Sequence, residues 1–247
     1  MNTIAVSHFK DISFANPSEN ILYDDVLLAM AEEGLTGNTL RIWESPICFV
    51  VLGRTGKVEE DLNFETLRKD AVPVLRRSSG GGTVLQGAGC LNFSFILSKE
   101  VNSDLADLRR SYHVILEGVL TVLRELKISA VFRPISDLAL AHSEKKFSGN
   151  AQRRGRKFIL HHGTILYEFD LALVSRYLTM PQDVPQYRKG RSHADFIANI
   201  AVSRKDLLAR FQSAYCPIGQ NIISKPTAIE YQRLNKLLQL RSPLVKF

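Results

Sequence analysis

The chain has 247 residues, 45% of them apolar and 23% charged, which excludes disordered, collagen-like and coiled-coil classes and leaves room for a core that needs no disulfide or metal staple. The longest apolar run, Ile47–Leu52, is six residues against the ~18 of a membrane span, and the first thirty residues hold no apolar leader core. Three scattered cysteines (Cys48, Cys90, Cys216) form no CxxC pair, so the expectation is a reduced, cytoplasmic protein with no membrane partner and no metal site. The net charge of +7 is concentrated between Glu144 and Lys157, where Lys145, Lys146, Arg153, Arg154, Arg156 and Lys157 face one carboxylate in the sequence. Such a cluster favours an anionic partner, but no aromatic residues interleave it, which argues against nucleic acid.

In chain order, Pro17 and Ser18 open an amphipathic helix over 17–34. Two short apolar runs, 40–43 and 47–52, read as strands closed by Gly53, and a helix is predicted over 58–69. A strand at 72–75 enters a glycine cluster and another at 91–97 leaves it. Leu105, Leu108, Tyr112, Ile115, Leu116, Val119 and Leu123 predict one long helix over 104–126. Short strands with turn signals at Pro134, Ser136-Asp137, Gly149-Asn150 and Gly155 fill 129–169, and helices resume at 171–178, 204–215 and 227–240. Strands in blocks predict an α+β fold, a mixed or antiparallel sheet with packed helices, in a single domain over 1–247 with a mainly helical extension from about residue 200.

The sharpest feature is RRSSGGGTVLQGAGCLNFS, Arg76–Ser94. Three successive glycines are entropically costly unless the backbone must bend unusually or approach a ligand. With Arg76, Arg77, Ser78, Ser79 and Thr83 around them, they make a cradle for a phosphate or acyl phosphate. The spacing is neither a Walker A loop nor a dinucleotide fingerprint. Further on, EKKFSGNAQ (144–152) places Lys146 on a strand before a turn at Ser148, Gly149 and Asn150, where an ammonium suits a carboxylate and a phosphate that react with each other. His161 and His162 are adjacent, so on a strand they face opposite ways and one site takes only one of them. Asp137 fits a turn, an orienting partner for a cation, or a contact to nucleotide-bound magnesium.

Taken together, VVLGR ending at Arg54, the glycine loop, SDL at 136–138, KKFSGNAQ and HHGTILY occur in an order that resembles the lipoate-protein ligase A family of the biotin and lipoate ligase superfamily. The resemblance covers about residues 42–199. It implies a catalytic domain related to class II aminoacyl-tRNA synthetases. It further implies ATP with Mg2+, lipoate as substrate, a lipoyl-AMP intermediate, and transfer to a lysine of an acidic lipoyl-domain acceptor. By motif, Lys146 is the implied catalytic residue. Arg77, Ser79, Gly81, Gly82, Thr83, Val84, Leu85, Gln86, Asn92, Asp137, Gly149, Ala151, His162 and Thr164 are implied to line the ATP and lipoyl-AMP pocket.

Three departures from that pattern stand out. Gln86 replaces a histidine common among relatives and transfers no proton, Ser136 stands where an asparagine is usual, and with only some 48 residues after Asn199 the expectation is that a separate partner supplies the accessory domain or that the chain alone completes only one half-reaction efficiently. YRKGRSHADFIAN, 187–199, reads as a segment closing over substrate. Two rivals are an octanoyl- or lipoyl-transferase working through a Cys90 thioester without ATP, and a non-catalytic module that binds lipoylated proteins. Biotin ligase is disfavoured, since GRTGK at 53–57 is a poor match to its basic glycine loop.

Overall fold

The computed structural model describes residues 4–181 and 184–245. Strands β1 (His8–Asp11), β2 (Thr39–Trp43), β6 (Cys90–Ser98), β7 (Ala130–Arg133), β8 (Asp137–Leu140), β9 (Lys146–Arg154) and β10 (Phe158–Leu166) form a sheet in the order β1-β2-β6-β10-β9-β8-β7. Its neighbours run antiparallel except β1 and β2. A smaller sheet holds β3 (Phe49–Leu52) between β4 (Val74–Arg76) and β5 (Val84–Gln86). This is the mixed α+β architecture expected from strands written in blocks.

Alternation along β6 and β10 sorts side chains between two layers. Leu91, Phe93, Phe95, Leu97, Ile159 and Ile165 join the cluster of α4 (Leu108–Glu125) and α7 (Arg204–Tyr215). Ile96 and Leu160 face α1 (Pro17–Glu32) and α8 (Ala228–Leu240) instead. The α1 helix begins where the Asn16 side chain accepts the Ser18 N–H ahead of Pro17. α8 is fixed by a capping box between Thr227 and Glu230 and by the Glu230 carboxylate, which takes Lys10 at 2.9 Å and the Tyr23 hydroxyl at 2.8 Å. The stretch after residue 200 is thereby packed on both faces of the sheet.

Three local differences have physical causes. The helix expected over 104–126 is divided, because Asp107 caps α4 by accepting the Arg110 N–H and leaves Ser103–Ala106 as a 3₁₀ turn. The helix expected over 58–69 is two short ones, α2 (Val58–Asp61) and α3 (Phe64–Lys69). Between them Leu62 bridges to Leu178, and the Asn63 N–H and side chain donate to the Tyr177 and Arg176 carbonyls. Gly149 and Asn150 form no turn: β9 continues to Arg154. Asn150 donates to the Ser136 carbonyl at 2.8 Å, and its amide oxygen lies where a side chain at the opposing Gly163 would have to go. The turn chemistry is overridden by this pairing.

Candidate active site

Two successive acids of α1 brace the glycine loop, Asp25 through Ser78 directly and Asp24 through His162, which lies beside Ser79. Asp24 Oδ1 pairs with the fully buried Arg41 at 2.8 Å and its Oδ2 accepts from Ser94 Oγ at 2.6 Å, with His162 Nδ1 3.7 Å away. Burial opposes the charge on Asp24, but Arg41, then His162 and Ser94, outweigh it and hold the carboxyl below its ordinary range. The other ring nitrogen of His162, Nε2, lies 2.7 Å from Ser79 Oγ. Asp25, also buried, accepts from Ser78 Oγ. Arg41 is itself sandwiched by aromatic rings, with Tyr23 at 4.8 Å and Trp43 at 5.0 Å. Cross-strand register sets Arg41, Ser94, His162 and Ala151 in one row across β2, β6, β10 and β9. Trp43, Asn92 and Thr164 form a second row.

Arg77 closes the loop onto itself. It is 8% exposed, and its guanidinium donates to the Gly80 and Gly82 carbonyls at 2.7 Å, to Val51 O at 3.2 Å and to Ser79 Oγ at 3.0 Å. Burial pushes it down to about 10, so it stays charged at neutral pH. Gly81, at φ +86°, takes a backbone turn open to glycine, and its carbonyl passes so near Gly53 that a Cβ there would sit 2.0 Å from the oxygen. A Cβ on Gly81 would lie 3.5 Å from that of Ala151, which puts the loop over the His162–Ala151 row.

On the same face of β9, two residues before Ala151 and so about 7 Å along the strand, lies Gly149. Asp137 is its cross-strand partner. Between Leu138 and Ala139 the ladder slips by one residue, so Lys146 rather than Phe147 stands opposite Ala139. This bulge sends Phe147 into the α4 core and swings Lys146 to the Gly149 side, where a Cβ on Gly149 would meet its Nζ at 3.0 Å. The ammonium lies 2.8 Å from Asp137 Oδ1, and the Lys146 side chain as a whole is 28% exposed. Asp137 Oδ2 accepts from the Tyr187 hydroxyl at 2.7 Å. The segment carrying Tyr187 is folded over Lys146: Ala198 N–H donates to the Lys146 carbonyl, and Arg191 donates to the Tyr187 and Glu144 carbonyls.

Of the residues named from sequence, Ser79, Gly81, Ala151 and His162 come together, as do Asp137, Lys146 and Gly149. Thr164 and Asn92 are cross-strand partners, with Asn92 buried against the Cys90 carbonyl at 3.2 Å. A Cβ on Gly82 would meet open space, and Thr83 donates to Asp61. Val84, Leu85 and Gln86 lie on β5 against β3, Leu85 in the small-sheet core and Gln86 accepting from Cys90 Sγ at 3.3 Å. His161 points the other way, fully buried beside Gln152 at 3.0 Å, and burial drives it down to about 3, so it is a neutral core residue. The basic cluster is dispersed: Arg153 pairs with Asp25 at 2.8 Å and Arg154 donates to the Leu105 and Ala106 carbonyls. Among the described residues no group of three His, Cys, Asp or Glu side chains gathers for a metal. The sequence alone did not point to Asp24, Asp25 or Arg41, and Tyr187 stood out only as the start of the 187–199 segment. The missed signal was charge inside apolar text, DD within ILYDDVLLAM and R within TLRIW.

An acid-braced glycine loop and a partly buried lysine share one face of the sheet in this mixed α+β fold. The family profile described as "Lipoyl protein ligase A/B catalytic domain" matches residues 16–210, and the chain belongs to that family. It is 28% identical over 199 residues to a protein of Mycoplasma genitalium named probable lipoate-protein ligase A, covering 81% of this chain and 56% of the relative. It is also 28% identical over 227 residues to an Exiguobacterium protein named octanoyltransferase LipM, covering 83% of this chain and 80% of that one. The chain spans about half the length of several curated ligase A relatives that it matches. A solved structure described as a bi-partite lipoate protein ligase and its E2 lipoyl domain, from Thermoplasma acidophilum, superposes with TM-score 0.76 at 23% identity, covering 95% of this chain and 92% of that one. Among the described residues no helix is long and apolar enough to cross a membrane.

Proposed function

We propose that this chain is an ATP-dependent lipoate-protein ligase that acts in the cytoplasm. The observation that carries the reading is the Lys146 ammonium, delivered by a β-bulge onto the same sheet face as the glycine loop and restrained by one carboxylate. In the first half-reaction a carboxylate oxygen of lipoate attacks the α-phosphorus of ATP and pyrophosphate leaves. Lys146 Nζ would neutralise the charge shared by the carboxylate and the α-phosphate. Backbone N–H groups around Gly81 and Gly82 would face the phosphates, with Arg77 keeping those peptide planes oriented. In the second, the ε-amine of an acceptor lysine attacks the acyl carbonyl and AMP leaves, with Lys146 again meeting the charge on the departing phosphate. Magnesium would come as the nucleotide's counter-ion, and no step above depends on a protein ligand to it. The acceptor we favour is an acidic lipoyl domain, drawn by exposed cations such as Arg156 and Lys157. A separate accessory subunit is compatible with this reading.

The thioester rival is disfavoured by the thiols. Cys90 is fully buried and burial pushes its thiol far up, Cys48 is pushed up to about 11 by burial and Asp170, and burial raises Cys216 as well. A non-catalytic module that binds lipoylated proteins would need neither Lys146 poised on the loop's face of the sheet nor a phosphate cradle. Intact-mass analysis of a lipoyl domain incubated with the protein, lipoate, ATP and magnesium tests the reading. A lipoyl adduct that requires ATP and is lost in Lys146→Ala supports it. An octanoyl adduct from an acyl thioester without ATP, lost in Cys90→Ala, overturns it.

A further inference from the structure

Resting on that reading, we infer that the segment after α8, residues 241–245, positions the glycine loop, acting through Arg241 and Asp25. Asp25 is the hinge of the argument. One buried carboxylate accepts from Ser78 in the loop, from Arg153 on β9 at 2.8 Å and from Arg241 just past the end of α8. Its Oδ1 takes Ser78 and Arg153, and Arg241 takes Oδ2. A carboxylate that must hold a loop serine in one place needs both oxygens occupied in fixed directions, and Arg241 supplies the second.

The same segment then runs along the free edge of β4, the strand that leads into the loop. Arg76 N–H donates to the Pro243 carbonyl at 2.8 Å and Val245 N–H to the Val74 carbonyl at 2.8 Å, with Leu244 bridging Leu75. β4 is therefore held between β3 on one side and this segment on the other. Arg76, thus pinned, donates to the Gly53 and Gly56 carbonyls at 2.9 and 2.7 Å, beneath the place where the Gly81 carbonyl passes Gly53. The loop is fixed at Ser78 by a side-chain contact and at Arg76 by backbone pairing, and both lead to residues outside the part matched by the family profile.

The test uses the full chain with Arg241→Ala, Arg241→Lys and Val245→Pro, the last removing the donor to Val74. Arg241 is half-exposed and the buried Asp25 keeps Ser78 and Arg153, so loss of Arg241 should lower the melting temperature by only a few degrees. A loop displaced by about an ångström should lower kcat/KM for lipoate roughly ten- to a hundredfold in Arg241→Ala, with partial recovery in Arg241→Lys. Hydrogen exchange of the 78–83 amides should rise in Arg241→Ala and in Val245→Pro while α4 and β10 stay protected. Wild-type kcat/KM and unchanged exchange in both variants would overturn the inference. If the wild-type protein makes no ATP-dependent adduct, the ligase reading is what fails, and the exchange comparison alone then decides whether this segment positions the loop.

Discussion

Arg77 and Lys146 are the two cations that the motifs single out, and the fold treats them oppositely. Arg77 is sealed inside the loop, with its donors turned to the Val51, Gly80 and Gly82 carbonyls and to Ser79. Lys146 is partly buried beneath the 187–198 segment, its ammonium paired with the Asp137 carboxylate and given room by Gly149. The sequence offers both as charges for an anionic ligand. Geometry commits the first to shaping the backbone, and under the ligase reading the second is left to meet the substrate. The difference follows from donor number, since a five-donor planar guanidinium can satisfy several carbonyls at once, whereas a compact ammonium is a single movable point charge.

The largest expected effect would break this contrast outright. Arg77→Ala strands buried carbonyls and should cost about 3–5 kcal/mol in denaturant unfolding, so the loss of activity would accompany a loss of fold. Lys146→Ala, by contrast, should lower kcat about 10²–10³-fold with an unchanged unfolding midpoint, read by intact-mass turnover and by chemical denaturation of the same sample. If Lys146→Ala unfolds the protein while Arg77→Ala merely slows it, the assignment of roles is reversed.

Two smaller effects sharpen the comparison. Adjacent His161 and His162 repeat the same division between core and site. His161 titrates near 3 in the folded chain against about 6.5 unfolded, so between those values the unfolded state binds the extra proton. Stability should rise with pH across that window, by at most about 1.4 kcal/mol per pH unit from this group, and His161→Gln should flatten the slope in urea midpoints measured from pH 4 to 7. The smallest change belongs to Tyr187→Phe. Removing one hydrogen bond from Asp137 frees that carboxylate to hold Lys146 differently, and turnover should shift no more than about tenfold with stability within about 1.5 kcal/mol. A larger fall would make Tyr187 part of the chemistry.

How far the site was legible follows from what each residue needs. The glycine loop stood out because GGG is costly, and Lys146 because it precedes the SGN turn signal within an ordered motif. His162 was separable from His161 by strand alternation alone. Asp24, Asp25 and Arg41 were not legible, since an acid in an apolar helix acquires meaning only when a cation from another strand reaches it. The bulge at Lys146 was hidden too: a glycine and an asparagine read locally as a turn, and only pairing of Asn150 with Gly163 keeps them extended.

The sequence by itself determined the α+β class, the helix at 204–215, the helix expected over 17–34 (Pro17–Glu32 in the structure), the loop and the family, because periodicity, turn residues and motif order are local properties of the chain. Tertiary structure alone decided which cation is sealed inside the loop and which serine each acid holds. It also decided that residues 241–245 brace a strand some 170 positions earlier in the chain. Those outcomes depend on cross-strand register and on contacts between distant segments, where burial makes every polar group find a partner and no local pattern records which one.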